Sequence, residues 1–113
     1  METKTIISAL HHFRKIDNKM QVSMILSFLE IAAAQDRNEV IGVQEVDRKV
    51  GLQSGTASRN VAYWGVGAPN ISKAMEFVNI DFDPRDRRKR VLTLTPKGKA
   101  FYKKIKHHLR ESN

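Results

Sequence analysis

EVDRKVGLQSGTASRNVAYW, residues 45–64, is the stretch that decides the fold. Val46 and Val50 stand one helical turn apart on a short helix over residues 44–50. Gly51 follows where a helix closes on a left-handed residue, a conformation glycine adopts without steric cost. Leu52 is the apolar contact after the turn, and Ser54 is the expected N-cap of a second helix. That helix places Ala57, Val61 and Trp64 inward at i, i+4 and i+7. Its outer face is predicted to carry Thr56, Arg59, Asn60 and Tyr63. Two short helices joined by a glycine turn form a helix-turn-helix pattern.

The chain on the C-terminal side extends that pattern. Residues 75–82 alternate through Met75, Phe77, Ile80 and Phe82, as a strand does. Asp83-Pro84 breaks the run, and Val91 to Thr95 reads as the return strand. Between them, five of the six residues from Arg85 to Arg90 are basic. A hairpin with a charged tip after the second helix is the winged variant of the motif. Thr95-Pro96 then reads as N-cap and first turn of a last helix, with Phe101, Ile105 and Leu109 inward.

The N-terminal side supplies the rest of the core. Ile6, Ile7, Leu10 and Phe13 define an amphipathic helix over residues 3–14. Met24, Ile25, Phe28, Leu29 and Ala32 define a second over 20–34. Ile41-Gly42-Val43 is a candidate third strand. Residues 65–70 form a loop on composition. The prediction is one domain over 1–113, mainly α with a small β-hairpin. It has about five helices and a two- to three-stranded wing sheet.

Composition narrows the function. With 41% hydrophobic and 28% charged residues, the chain has the profile of a folded domain. No apolar run approaches the roughly 18 residues of a membrane span, and Met1 to Thr5 lack the start of a signal peptide. A cytoplasmic protein is expected. The absence of cysteine removes disulfides, thiolate metal sites and thiol nucleophiles. No paired carboxylates, nucleophile motif or metal cluster points to catalysis, so no enzyme, cofactor or metal is predicted. His11-His12 and His107-His108 are adjacent pairs that point apart on a helix and lack ligand spacing.

The net charge of +8 is unevenly spread. Residues 1–83 carry 9 Lys/Arg against 10 Asp/Glu, whereas residues 84–113 carry 11 against 2. The entire excess lies in the last quarter of the chain, which calls for a polyanionic partner.

These residues resemble the winged helix-turn-helix of the MarR family of transcriptional regulators. The likeness spans roughly residues 20–105. The wing half holds Asp83, Pro84, Asp86, Arg87, Arg88, Leu92, Leu94, Thr95 and Gly98. The helix-turn-helix half keeps Glu45, Gly51, Leu52, Thr56, Ser58 and Arg59. The resemblance implies a regulator of transcription that binds DNA as a homodimer. It also implies that Asp86 and a nearby arginine brace the wing as an ion pair.

The residues themselves suggest the contacts. Arg59 can reach guanine O6 and N7, and Asn60 can pair with adenine. Gln53, Ser54 and Thr56 lie where the helix start can meet phosphate. Tyr63 could stack on sugar or donate to phosphate. Arg85, Arg87, Arg88, Lys89 and Arg90 would neutralise the backbone or enter a narrow minor groove, with Arg87 the first choice. Ile6, Leu10, Phe101, Ile105 and Leu109 are the expected dimer residues. The leading reading is a sequence-specific binder of double-stranded DNA that regulates transcription, as a repressor by simple occlusion. The alternatives are a winged-helix module for replication, packaging or architecture, and a protein-interaction module that uses the basic wing. No effector is identifiable.

Overall fold

In the computed structural model the order is α1 (Thr3–Ile16), α2 (Val22–Asp36), α3 (Val43–Val50), α4 (Thr56–Trp64), β1 (Val78–Asp83), β2 (Asp86–Leu94) and α5 (Pro96–Glu111). The structure describes residues 3–51, 56–67 and 74–111, with side chains through His107. The expected Ser54 cap and Leu52 contact lie outside the described residues. Five helices and a two-stranded antiparallel hairpin make this a winged helix of the α+β class.

The core is a set of rings, one from nearly every element. Phe13 of α1, Phe28 of α2, Trp64 of α4, Phe77 ahead of β1 and Phe101 of α5 are all buried. Phe28 lies 4.9 Å from Trp64, Phe13 5.2 Å from Phe101, and Phe77 5.0 Å from Phe101, centroid to centroid. Most of these pairs meet edge to face or tilted, which suits the ring quadrupole. α2 runs through the centre and packs on α3, α4 and β2, while α1 packs on α5.

Helix ends follow their local chemistry. Gly51 closes α3 at φ 75°, ψ 38°, in the left-handed region anticipated for it. Glu45 accepts the Gly42 N–H at 3.1 Å across the first turn of α3. Asn38, at φ 55°, ends the turn after α2. Thr95 caps α5, its Oγ1 accepting the Gly98 N–H at 3.0 Å.

Three expectations change. The first strand starts at Val78, not Met75. Residues 75–77 instead serve the C-terminus of α4: Met75, Phe77 and Glu76 donate N–H groups to the carbonyls of Tyr63, Trp64 and Gly65 at 2.7–2.9 Å. A helix end leaves such carbonyls unpaired, and this segment satisfies them. The return strand starts at Asp86 and so contains the basic run. The Ile41 segment is not a third strand; it contributes one bond, Leu92 N–H to the Ile41 carbonyl at 2.9 Å.

Candidate nucleic-acid interface

Two elements present the candidate site: the outer ridge of α4 and the tip of the hairpin. α4 is short, yet its orientation is fixed by three side chains. Trp64 Nε1 donates to the Met24 carbonyl at 2.8 Å. Asn60 Nδ2 donates to Ser27 Oγ at 3.3 Å and Ser23 Oγ at 3.4 Å. Tyr63 OH donates to Asp17 Oδ2 at 3.0 Å. Asp17 also shapes the α1–α2 turn, since its Oδ1 accepts the Lys19 N–H at 2.9 Å. Burial, reinforced by the Asp17 bond, drives the Tyr63 hydroxyl far above its ordinary value.

Asn60 and Tyr63 therefore leave the predicted outer face. They are 5% and 6% exposed, and their polar atoms are engaged within the fold. The reason is geometric. At about 100° per residue, Asn60 stands about 60° from Ala57, beside the apolar stripe and facing α2. Tyr63 lies at the edge of that sector, where the α1–α2 turn covers it. Arg59 is on the opposite side, exposed, with no side-chain partner among the described residues. Ser58 is exposed beside it, Ala62 is half-buried on the same ridge, and Thr56 is half-buried at the helix start. Ser58 and Ala62 were missing from the predicted face, although a helical wheel centred on Ala57, Val61 and Trp64 puts them there. Gln53 and Ser54 lie outside the described residues.

The hairpin pairs Val78 with Leu94, Ile80 with Leu92 and Phe82 with Arg90, then slips at Phe82/Asp83 so that Asp83 pairs with Asp86. Residues 87–89 thus bulge from the ladder at its tip. Val78, Leu92 and Leu94 are buried, while Arg85, Arg87, Arg88, Lys89 and Arg90 are all exposed. Asp86 Oδ1 accepts both the backbone N–H of Arg88 at 3.0 Å and its Nε at 3.2 Å. Those two bonds hold the Asp86 carboxyl below the usual carboxylate range. The ion pair implied by the family resemblance is thus present, with Arg88 as the partner.

On α5 the inward positions expected for Phe101 and Ile105 hold, but they are taken up by the chain's own core and not left for a dimer face. Phe101 and Ile105 are core residues, 8% and 4% exposed, and face α1 and α2 within the chain rather than a partner. Ile6, Ile7 and Leu10 remain exposed on α1, and the Leu109 side chain lies outside the described residues. His12 and His107 line one groove between α1 and α5 with Ala100, Lys103 and Lys104. Among the described residues no group of three or more His, Cys, Asp or Glu could share a metal ion. Among the described residues no helix is long and apolar enough to cross a membrane.

No protein-family model matches the chain, and no curated protein matches it. Solved structures do. A MarR-like transcriptional regulator from Thermotoga maritima matches with a TM-score of 0.63 at 19% identity, over 97% of this chain and 77% of that one. The PcaV transcriptional regulator of Streptomyces coelicolor matches at 0.62 and 15% identity, over 96% and 71%. BpsR of Bordetella bronchiseptica, whose DNA binding is regulated by 6-hydroxynicotinic acid, matches at 0.58 and 17%, over 96% and 74%. At these identities the likeness is one of architecture: the chain has the MarR-like winged helix-turn-helix fold.

Proposed function

We propose that this protein is a transcriptional regulator that binds double-stranded DNA, with α4 in the major groove and the wing on the backbone. The observation that carries the reading is the division of α4. Its inner side is bonded to α2 and the α1–α2 turn, while Arg59 and Ser58 stand exposed on the other, with no side-chain bond among the described residues. A helix that reads base edges needs this combination of fixed orientation and free short polar or basic groups. The exposed cations of the wing supply the sequence-independent attraction. The similar structures of PcaV and BpsR, one a transcriptional regulator and the other a DNA binder, support the same assignment.

The proposed contact set is Arg59 and Ser58 on bases, Gln53, Ser54 and Thr56 at the helix start, and Arg85, Arg87, Arg88, Lys89 and Arg90 on the wing. The protein acts as a homodimer joined through the exposed Ile6, Ile7 and Leu10 face of α1, and represses by occluding a promoter. Selection of sites from a random duplex library by the purified protein tests this. An enriched inverted repeat, with half-site centres about ten base pairs apart, is the expected result. DNA retained without any enriched motif would sink the regulatory reading and leave an architectural binder.

A further inference from the structure

The wing's arginines are sorted by what they already hold. Arg88 spends its Nε on Asp86. Arg85 and Arg87 make no side-chain bond among the described residues, and Lys89 places its charge near Asp86. Arg90 differs from both groups, because its guanidinium carbon lies 5.2 Å from the centroid of the Phe82 ring. The two residues are direct partners in the hairpin register. Phe82 is 62% exposed, so this ring adds little to the core. The backbone beneath Arg90 is fixed as well. A Cβ on Gly42 would come within 2.6 Å of the Arg90 carbonyl oxygen, so the wing strand sits directly on the start of α3.

A guanidinium has a flat face and a donor edge, and the two can be used independently. Stacking on a ring occupies the face and leaves the edge free for a bidentate contact with phosphate. An ion pair such as Arg88–Asp86 takes up the Nε donor instead. A stacked arginine also has less side-chain freedom to lose on binding than an unsupported one. We propose that Phe82 is a positioning residue for Arg90, and that the pair is a preformed contact for a DNA phosphate on the wing. The proposal rests on the DNA-binding reading above. It also changes the order of the wing residues, placing Arg90 ahead of Arg87 as the strongest single backbone contact.

A double-mutant cycle tests it, with a short mixed-sequence DNA duplex as probe and affinity measured across a salt series. Arg90→Ala weakens binding and lowers the salt slope by about 1. Phe82→Leu weakens binding about two- to five-fold, Phe82→Tyr restores it, and Phe82→Leu adds nothing once Arg90 is alanine. If Phe82→Leu costs as much without Arg90 as with it, or costs nothing while Arg90→Ala costs affinity, the positioning role is overturned. Loss of the Phe82→Leu effect on adding back the Tyr ring separates stacking from general damage to the hairpin. A wild-type protein that shows no salt-dependent retention of the duplex overturns the DNA reading itself, a result distinct from failure of the cycle.

Discussion

α4 and the wing tip lie in one chain yet are held in different ways. Asn60, Tyr63 and Trp64 bond α4 to three points on α2 and the α1–α2 turn. Among the described residues, the tip beyond Arg90 is held by its own ladder, the Arg85 N–H bond to Asp83, the Asp86–Arg88 pair and the Phe82–Arg90 stack, and it meets the rest of the fold where Arg90 lies against Gly42. The difference fits the two tasks proposed for them. Reading a base edge depends on donor positions good to a fraction of an ångström, so the reading helix must be fixed by the core. Contact with phosphate is long-range and tolerant of position, so a locally supported hairpin serves.

The largest test of this contrast is the same substitution in each region. Phe28 meets Phe13, Trp64, Phe77 and Phe101 and is wholly buried. Phe28→Ala should cost about 3–5 kcal/mol of folding stability, from lost transfer energy and the cavity left behind. Phe82→Ala should cost about 0.5 kcal/mol or less. Urea denaturation of both variants measures the gap. Comparable losses would mean that the wing tip is part of the cooperative core, and the contrast would fail.

The next test separates the tasks in binding. Arg59→Ala should lose about 1–3 kcal/mol on the preferred site and relax the preference at one base pair. Arg87→Ala should weaken all sequences alike and lower the salt slope by about 1. Competition of selected against scrambled duplexes reads both. A uniform loss for Arg59→Ala would make it one more backbone contact.

Tyr63→Phe probes the anchor more gently. Removing the hydroxyl removes its bond to Asp17 Oδ2 and should cost about 0.5–1.5 kcal/mol at neutral pH. The pH dependence gives a sharper signature. Burial raises the folded-state value of Tyr63, so its contribution is fully present below the ordinary tyrosine value near 10 and is lost as pH rises above it. Tyr102, pushed up to about 12 by burial and its bond to Asp36, behaves alike in both proteins. The stability gap between wild type and Tyr63→Phe should therefore narrow above pH 10. Absorbance titration should also find no tyrosinate at pH 10 in the native protein. About half-ionisation of one tyrosine there, as for a free phenol of pKa near 10, would show Tyr63 to be solvated, and the anchor absent.

Much of this was legible in the sequence, for physical reasons that also explain the gaps. Periodicity and caps depend on near neighbours, so Gly51, Thr95, the stripe Ala57–Val61–Trp64 and the basic hairpin could be read directly. Which flank of a stripe is buried depends on what packs there. Asn60 and Tyr63 look like surface residues until α2 and the Asp17 turn are placed beside them. Met75 and Phe77 carry a strand's alternation, but the unpaired carbonyls at the end of α4 claim their N–H groups first. The spacing of Phe101 and Ile105 marks them as inward, but a sequence cannot say whether such a helix face meets its own fold or another copy; here it meets the chain's own core.

The smallest effect is expected at Asp86. Its carboxylate is half-buried at the surface and bonded to Arg88, so its folded-state value is depressed. A group depressed in this way contributes stability above the ordinary carboxylate range and loses it as pH falls through the folded value. Exposed ion pairs contribute little, because water and salt screen them. Asp86→Asn should therefore leave the melting temperature nearly unchanged, since an asparagine oxygen can still accept the Arg88 N–H. DNA binding should respond instead. The substitution removes a negative charge and releases the Arg88 edge, so the salt slope should steepen by up to about 1 as one more cation reaches phosphate. A shallower slope would carry the opposite meaning. It would show that the wing depends on the Asp86 brace to hold its other cations in place, and that the tip is held more like α4 than the hydrogen-bond pattern suggests.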